Sequence, residues 1–78
     1  MRPRYVVRID PTHVGRRVSV RARTHANPPA TDTVGVLRAW QDDVLTIERR
    51  DGSLARIPAG DLLAARVVPD APNRRRLL

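Results

Sequence analysis

The chain has 78 residues, a net charge of +7, no cysteine and only two aromatics, Tyr5 and Trp40. That length allows one domain, which buries only about 60–65% of the surface its unfolded chain exposes, and the missing cysteines exclude disulfide staples and thiol chemistry. No apolar run approaches the roughly 20 residues needed to span a bilayer, and no long apolar core follows the basic N-terminus as in a secretory signal, so a cytoplasmic protein without membrane contact is expected.

Tyr5 to Ile9 reads as an extra short strand ahead of the main domain. Asp10 is placed to cap a short helical turn that begins at Pro11, because proline suits the first helical position, and Gly15 can end that turn. Val18, Val20 and Ala22 then alternate with Arg17, Ser19, Arg21 and Arg23. Period two marks a half-buried strand with one apolar face and one face made almost entirely of guanidinium groups. Thr24 to Asp32 carries Asn27-Pro28-Pro29 and reads as a long, mobile loop.

Thr33 to Trp40 is the next strand, with an ambiguous phase: Val34 and Val36 compete with Leu37 and Ala39 for the inner face. Gly35 inside it suggests a bend or a close backbone approach. Gln41-Asp42-Asp43 is a tight polar turn. Val44 to Arg50 comes next as a strand, with Leu45 and Ile47 on one face and Thr46 and Glu48 on the other. Asp51-Gly52 is a strong hairpin signal, since both positions tolerate positive φ. Ser53 to Pro58 returns as a strand. Ala59 to Leu63 reads as one helical turn, and Ala64 to Val68 as a last short strand. From Pro69 the composition changes to that of a basic, proline-containing tail or linker ending Arg74-Arg75-Arg76-Leu77-Leu78.

The expected fold is all-β: a five-stranded SH3-like (Sm-like) small barrel with a short helical turn before the last strand. Residues 1–68 form the barrel, with its core at about 14–68, and residues 69–78 form the tail. There is no internal repeat.

Several short stretches carry a family resemblance. Val14-Gly15-Arg16-Arg17-Val18-Ser19-Val20-Arg21 has the form of an opening motif. Val34-Gly35-Val36-Leu37-Arg38-Ala39-Trp40 is the second, with an acidic turn and Leu45-Thr46-Ile47 behind it. The Asp51-Gly52 hairpin, Ile57-Pro58 and Leu63-Ala64-Ala65-Arg66-Val67-Val68-Pro69 complete the series. Together they resemble the N-terminal SH3-like domain of GNAT-family N-acetyltransferases from high-GC bacteria, over about residues 12–69. The resemblance implies a barrel that precedes an acetyltransferase domain, with the segment from Pro69 as the start of the linker. It implies an accessory role and transfers no catalytic or cofactor residue to this chain.

The residues themselves offer little for catalysis. His13 and His25, taken with Asp10 or Asp32, match no established zinc spacing, and loop histidines are by default solvated. Ser19 and Ser53 have no base beside them in sequence. Asp42 and Asp43 sit in a turn, where aspartate is favoured for local hydrogen bonds. Asp61 can cap the second helical turn or pair with an arginine. The four glycines are scattered and form no phosphate loop. No enzyme activity, metal or cofactor is therefore expected.

The arginines are the remaining feature. All 15 basic residues are arginine, a composition that high-GC codon usage accounts for. Guanidinium forks match phosphate and carboxylate geometry. The candidate anion- or partner-binding residues are Arg17, Arg21, Arg23, Arg38, Arg49 and Arg50, with Trp40, whose indole also suits the barrel interior or rim. Arg56 and Arg66 lie on other strands. Three functions are compatible with this surface: an accessory module that contacts a protein partner, such as an acetyltransferase domain or a second copy; a nucleic-acid-binding barrel that uses an arginine-rich face; or a self-associating structural barrel.

Overall fold

The computed structural model describes residues 6–69. Tyr5 and the tail from residue 70 to 78 lie outside the described residues. Five strands form one antiparallel sheet: β1 (Arg17–Arg23), β2 (Ala30–Gln41), β3 (Val44–Glu48), β4 (Leu54–Pro58) and β5 (Leu62–Val67), in the order β4-β3-β2-β1-β5. Short 3-10 turns at Pro11–His13 and Ala59–Asp61 precede β1 and β5. This is the small Sm-like architecture expected from the sequence.

The first turn owes its position to capping chemistry. The Asp10 carboxylate accepts the Thr12 amide at 2.9 Å, and the His13 ring nitrogen Nδ1 accepts the Asp10 amide at 3.0 Å. Each side chain thus satisfies an end group of the turn. The chain then passes Gly15, whose amide donates to the Leu37 carbonyl at 2.7 Å, and so seats the turn on β2.

β1 buries Val18, Val20 and Ala22 and turns Arg17, Ser19, Arg21 and Arg23 to the outer face. The β1–β2 connection is shorter than its prolines suggest. Thr24 Oγ1 donates to the Pro28 carbonyl at 2.7 Å, and the Thr24 amide donates to the Pro29 carbonyl at 2.7 Å. These bonds close the loop at residue 29. Ala30, Thr31 and Asp32, expected in the loop, instead pair with Arg23, Ala22 and Arg21 as strand.

β2 serves two hairpins. Its first half pairs with β1 and its second half with β3, and Val36 alone is paired on both sides. Thr33, Gly35 and Leu37 line the interior of the first half. Between the Leu37–Ile47 and Ala39–Thr46 pairs, β2 advances two residues while β3 advances one. Arg38 is the extra residue, and a bulge of this kind reverses the phase of the residues beyond it. Ala39 therefore lies opposite Thr46 on the outer face, and Trp40 lies opposite Leu45 and packs against the core. Neither competing set from the sequence is correct: Val34 and Val36 face outward, and of the other pair only Leu37 points in.

Gly35 is a close approach of two strands. A Cβ at this position would strike the Glu48 carbonyl oxygen and lie 2.9 Å from the Ile47 Cγ2. Only hydrogen fits there, so β2 can bend across the end of β3. The bend brings β4 back over the first half of the sheet. Ala55 and Ile57 of β4 thus border the same depression as Ala22, Thr31 and Thr33.

The two turns around β3 exchange the roles expected of them. Asp42 and Asp43 both take positive φ, 54° and 61°, in the two-residue turn between Gln41 and Val44. Aspartate tolerates this region better than most side chains. At the second hairpin only Gly52 has positive φ, 90°. The Gly52 amide donates to the Arg49 carbonyl at 2.9 Å, and the Arg49 amide to the Ser53 carbonyl at 2.8 Å. That is a three-residue loop with glycine in the left-handed position. Asp51 uses its carboxylate to accept the Ser53 amide at 2.9 Å rather than adopting positive φ itself.

β5 begins at Leu62, where the sequence suggested continued helix. Leu62 pairs with Ala22 and packs against the core, which draws it into the sheet. A register shift near Arg21 and Ala22 accompanies this pairing, with Leu63 as the unpaired residue. On the outer edge of β5, Val7 forms an isolated parallel bridge to Ala65, and the Arg8 amide donates to the Ala65 carbonyl at 2.8 Å. The N-terminal segment therefore covers part of this edge, though as a single bridge rather than a strand. β4 is paired only with β3. The core consists of Ile9, Val18, Val20, Ala22, Leu37, Leu45, Ile47, Ile57 and Ala65, with Trp40, Leu62 and Val67 packed around it. No described helix is long and apolar enough to cross a membrane.

Candidate functional site

The arginines of β1 share a face, as their alternation requires. They do not form a continuous cationic stripe. Arg21 grips Asp32, its cross-strand neighbour, with two parallel bonds: Nε to Oδ1 at 2.9 Å and Nη2 to Oδ2 at 3.1 Å. Arg38, projected from the bulge, pairs with Glu48 at 2.7 Å. Arg49 donates to the Ser53 hydroxyl at 3.1 Å, and Arg50 stands exposed at the loop tip. Arg17 and Arg23 have no carboxylate partner among the described residues. Trp40, half-buried on the inner face, packs against the core.

Charge is unevenly divided along the chain. Ten arginines and seven of the eight acids fall in residues 6–69, which leaves this region at +3 of the total +7. Local pairing reduces the field further where Asp32 and Glu48 stand.

Two depressions collect arginines that sequence spacing leaves apart. The first, of about 440 Å³, lies on the outer face beside β5 and is bordered by Arg8, Ser19, Arg21, Asp32 and Arg66. Its composition is set by register. Ser19 lies opposite Arg66, Arg21 lies between Ala64 and Asp32, and Arg8 is held on Ala65. The second, of about 240 Å³, sits where β4 crosses the first half of the sheet. Arg23, Arg49 and Arg56 border it with Asp61, Thr31 and Thr33. Arg8, Arg56 and Arg66 are the residues that the sequence-derived candidate set lacks. Their spacing carries no signal, because each depression is assembled by cross-strand pairing and by the bend at Gly35.

The acids act locally. Two hydrogen bonds from Thr12 lower the Asp10 pKa, the side-chain bond having the larger effect. The Asp32 pKa is lowered chiefly by its hydrogen bond from Arg21, and the Asp51 pKa by the Ser53 hydroxyl and amide. Each carboxylate is thereby held ionised by a donor at hand. His13 Nδ1 is occupied by the Asp10 amide, and the Ser53 hydroxyl donates to Asp51 at 2.7 Å. Among the described residues no group of three or more histidines and acids is placed to hold a metal.

A five-stranded antiparallel sheet bent at a glycine, with short 3-10 turns before its first and last strands, defines a small Sm-like barrel. Residues 12–66 match the family described as the Rv0428c N-terminal Sm-like domain, and the chain belongs to that family. Among curated proteins it is similar to the probable histone acetyltransferase Rv0428c of Mycobacterium tuberculosis (strain ATCC 25618 / H37Rv). The two are 40% identical over an alignment of 63 residues that covers 78% of this chain and 20% of the relative. The chain thus spans about a fifth of the length of that relative. No solved structure matches the chain.

Proposed function

We propose that this barrel is a non-catalytic accessory module that works by protein–protein contact with an acetyltransferase domain. The observation that carries the reading is the family itself: the matched region is an N-terminal domain, and the relative that contains one is named a probable histone acetyltransferase. The outer face offers a contact surface. Val34, Val36 and Leu54 point outward, and Val34 and Leu54 are 48% and 53% exposed. Val36 and Leu54 stand in one row on either side of Glu48, and Val34 faces outward two residues from Val36. Exposed apolar groups gathered on one face are the usual anchors of a partner.

The test is size-exclusion co-elution of the chain with the region of the M. tuberculosis relative C-terminal to its matched domain. An equimolar complex, lost in Val34→Asp, supports the reading. Separate elution of both proteins at micromolar concentration refutes it.

A second reading, nucleic-acid binding, is favoured by the convergence of Arg23, Arg49 and Arg56 on one depression. It requires fluorescence anisotropy binding to duplex or single-stranded nucleic acid that weakens with salt as counterions are released. The binding must also fall in the triple variant R23Q/R49Q/R56Q. Equal affinity in that variant removes the site from the depression.

A further inference from the structure

The outer-face depression beside β5 has a composition that neither reading uses. Arg8 and Arg66 border it without a carboxylate partner among the described residues. Arg21 is present as well, with its fork held in place by the bidentate pair to Asp32, and the half-buried Ser19, on the same strand as Arg21 and opposite Arg66, supplies a hydroxyl. The floor is the short Ala64 side chain and the backbone of Ala65, whose own side chain lies in the core, so the guanidinium groups are left accessible. The one acid at the rim is matched by Arg21, so the depression keeps an excess of two positive charges.

We infer that this depression is a binding site for a phosphate group, with Arg8 and Arg66 as the charge-bearing donors and Ser19 as a neutral donor. Guanidinium forks bind tetrahedral oxyanions with paired N–H donors, which a carboxylate-matched arginine elsewhere on the face cannot offer. Arg8 reaches the site only because its own amide is bonded to the Ala65 carbonyl, which fixes the N-terminal segment along β5. The site thus couples the N-terminal segment to the barrel, and an occupying anion would hold the two together. Such a site depends on neither the accessory nor the nucleic-acid reading.

The experiment is a two-dimensional amide and arginine Nε NMR titration of the full chain with inorganic phosphate, at low and near-physiological salt. Saturable shifts confined to Arg8, Ser19, Arg66 and their neighbours are expected. Arg8→Gln and Arg66→Gln should each weaken binding about tenfold, as loss of a charged hydrogen-bond donor does. Arg50→Gln removes the same charge from the distant loop tip and should leave the affinity unchanged. The variants' own spectra report whether the fold is intact. Shifts spread evenly over Arg17, Arg23 and Arg50, or equal weakening by Arg50→Gln, would show general charge screening and overturn the site. A parallel titration with a short DNA duplex separates the sources. Tighter duplex binding that is lost in Arg66→Gln assigns the phosphate to a nucleic-acid backbone, and binding of inorganic phosphate alone assigns it to a small ester.

Discussion

The two halves of β2 lie on one strand and obey opposite rules. From Thr33 to Leu37 the odd-numbered residues face the core; from Ala39 onward the even-numbered Trp40 does. The first half is pressed so close to β3 that Gly35 can carry no side chain. The second half is ordinary strand, with a large aromatic opposite Leu45. A single bulged residue, Arg38, lets one strand present both phases to a core that would otherwise require two. In a domain this small, the bend and the bulge stand in for a second sheet: they let five strands of one sheet curl around a single core.

Insertion of one alanine between Ala39 and Trp40 is the most direct way to break this arrangement. It shifts Trp40 by one position against Leu45 and sends it to the outer face. Loss of the cooperative thermal transition is expected by circular dichroism. Gly35→Ala comes next. Its methyl meets backbone rather than a flexible side chain, so a loss of about 3 kcal/mol or more is expected from chemical denaturation. That is a large share of the roughly 4–10 kcal/mol that holds a domain of this size.

Leu37→Ala should cost about 2–5 kcal/mol, since the side chain is wholly buried. Val34→Thr, three residues earlier on the outer face, should change stability by less than about 0.5 kcal/mol. Equal losses at the two positions would contradict the assigned phase.

The smallest effect is electrostatic and belongs to the first half alone. The Asp32 pKa is held below its ordinary 3.8 by Arg21. The folded state therefore binds this proton less readily than the unfolded chain does. The resulting stabilisation is present above the unfolded value and is lost as pH falls through the lower folded value. Asp32→Asn should flatten the stability profile below about pH 4, measured by urea denaturation across that range, and leave its slope near neutrality unchanged.

The sequence determined the fold class because alternation in β1 and β3, the capping residues Asp10 and Pro11 and the two polar turns are local signals. Each can be read within a few residues of chain. It also marked Gly35 as a bend or a close backbone approach, and the structure has a close approach there. Only the tertiary structure decided the phase of β2. Val34, Val36, Leu37 and Ala39 are all apolar, and the choice among them rests on a bulge opposite β3 rather than on any property of those residues. The same holds for the turns. Asp42-Asp43 took the left-handed pair of conformations because the register from Gln41 to Val44 leaves two residues to reverse the chain, whereas Asp51-Gly52 had three. The candidate sites lay furthest from the sequence. Alternation identified the outward arginines of β1 but not their partners, and Asp32 cancels Arg21 only because the short loop brings β2 back in register. Arg8 and Arg66 are 58 positions apart in the chain. They border one depression because β5 pairs with β1 on one edge and with the N-terminal segment on the other, an arrangement that cross-strand hydrogen bonding alone can specify.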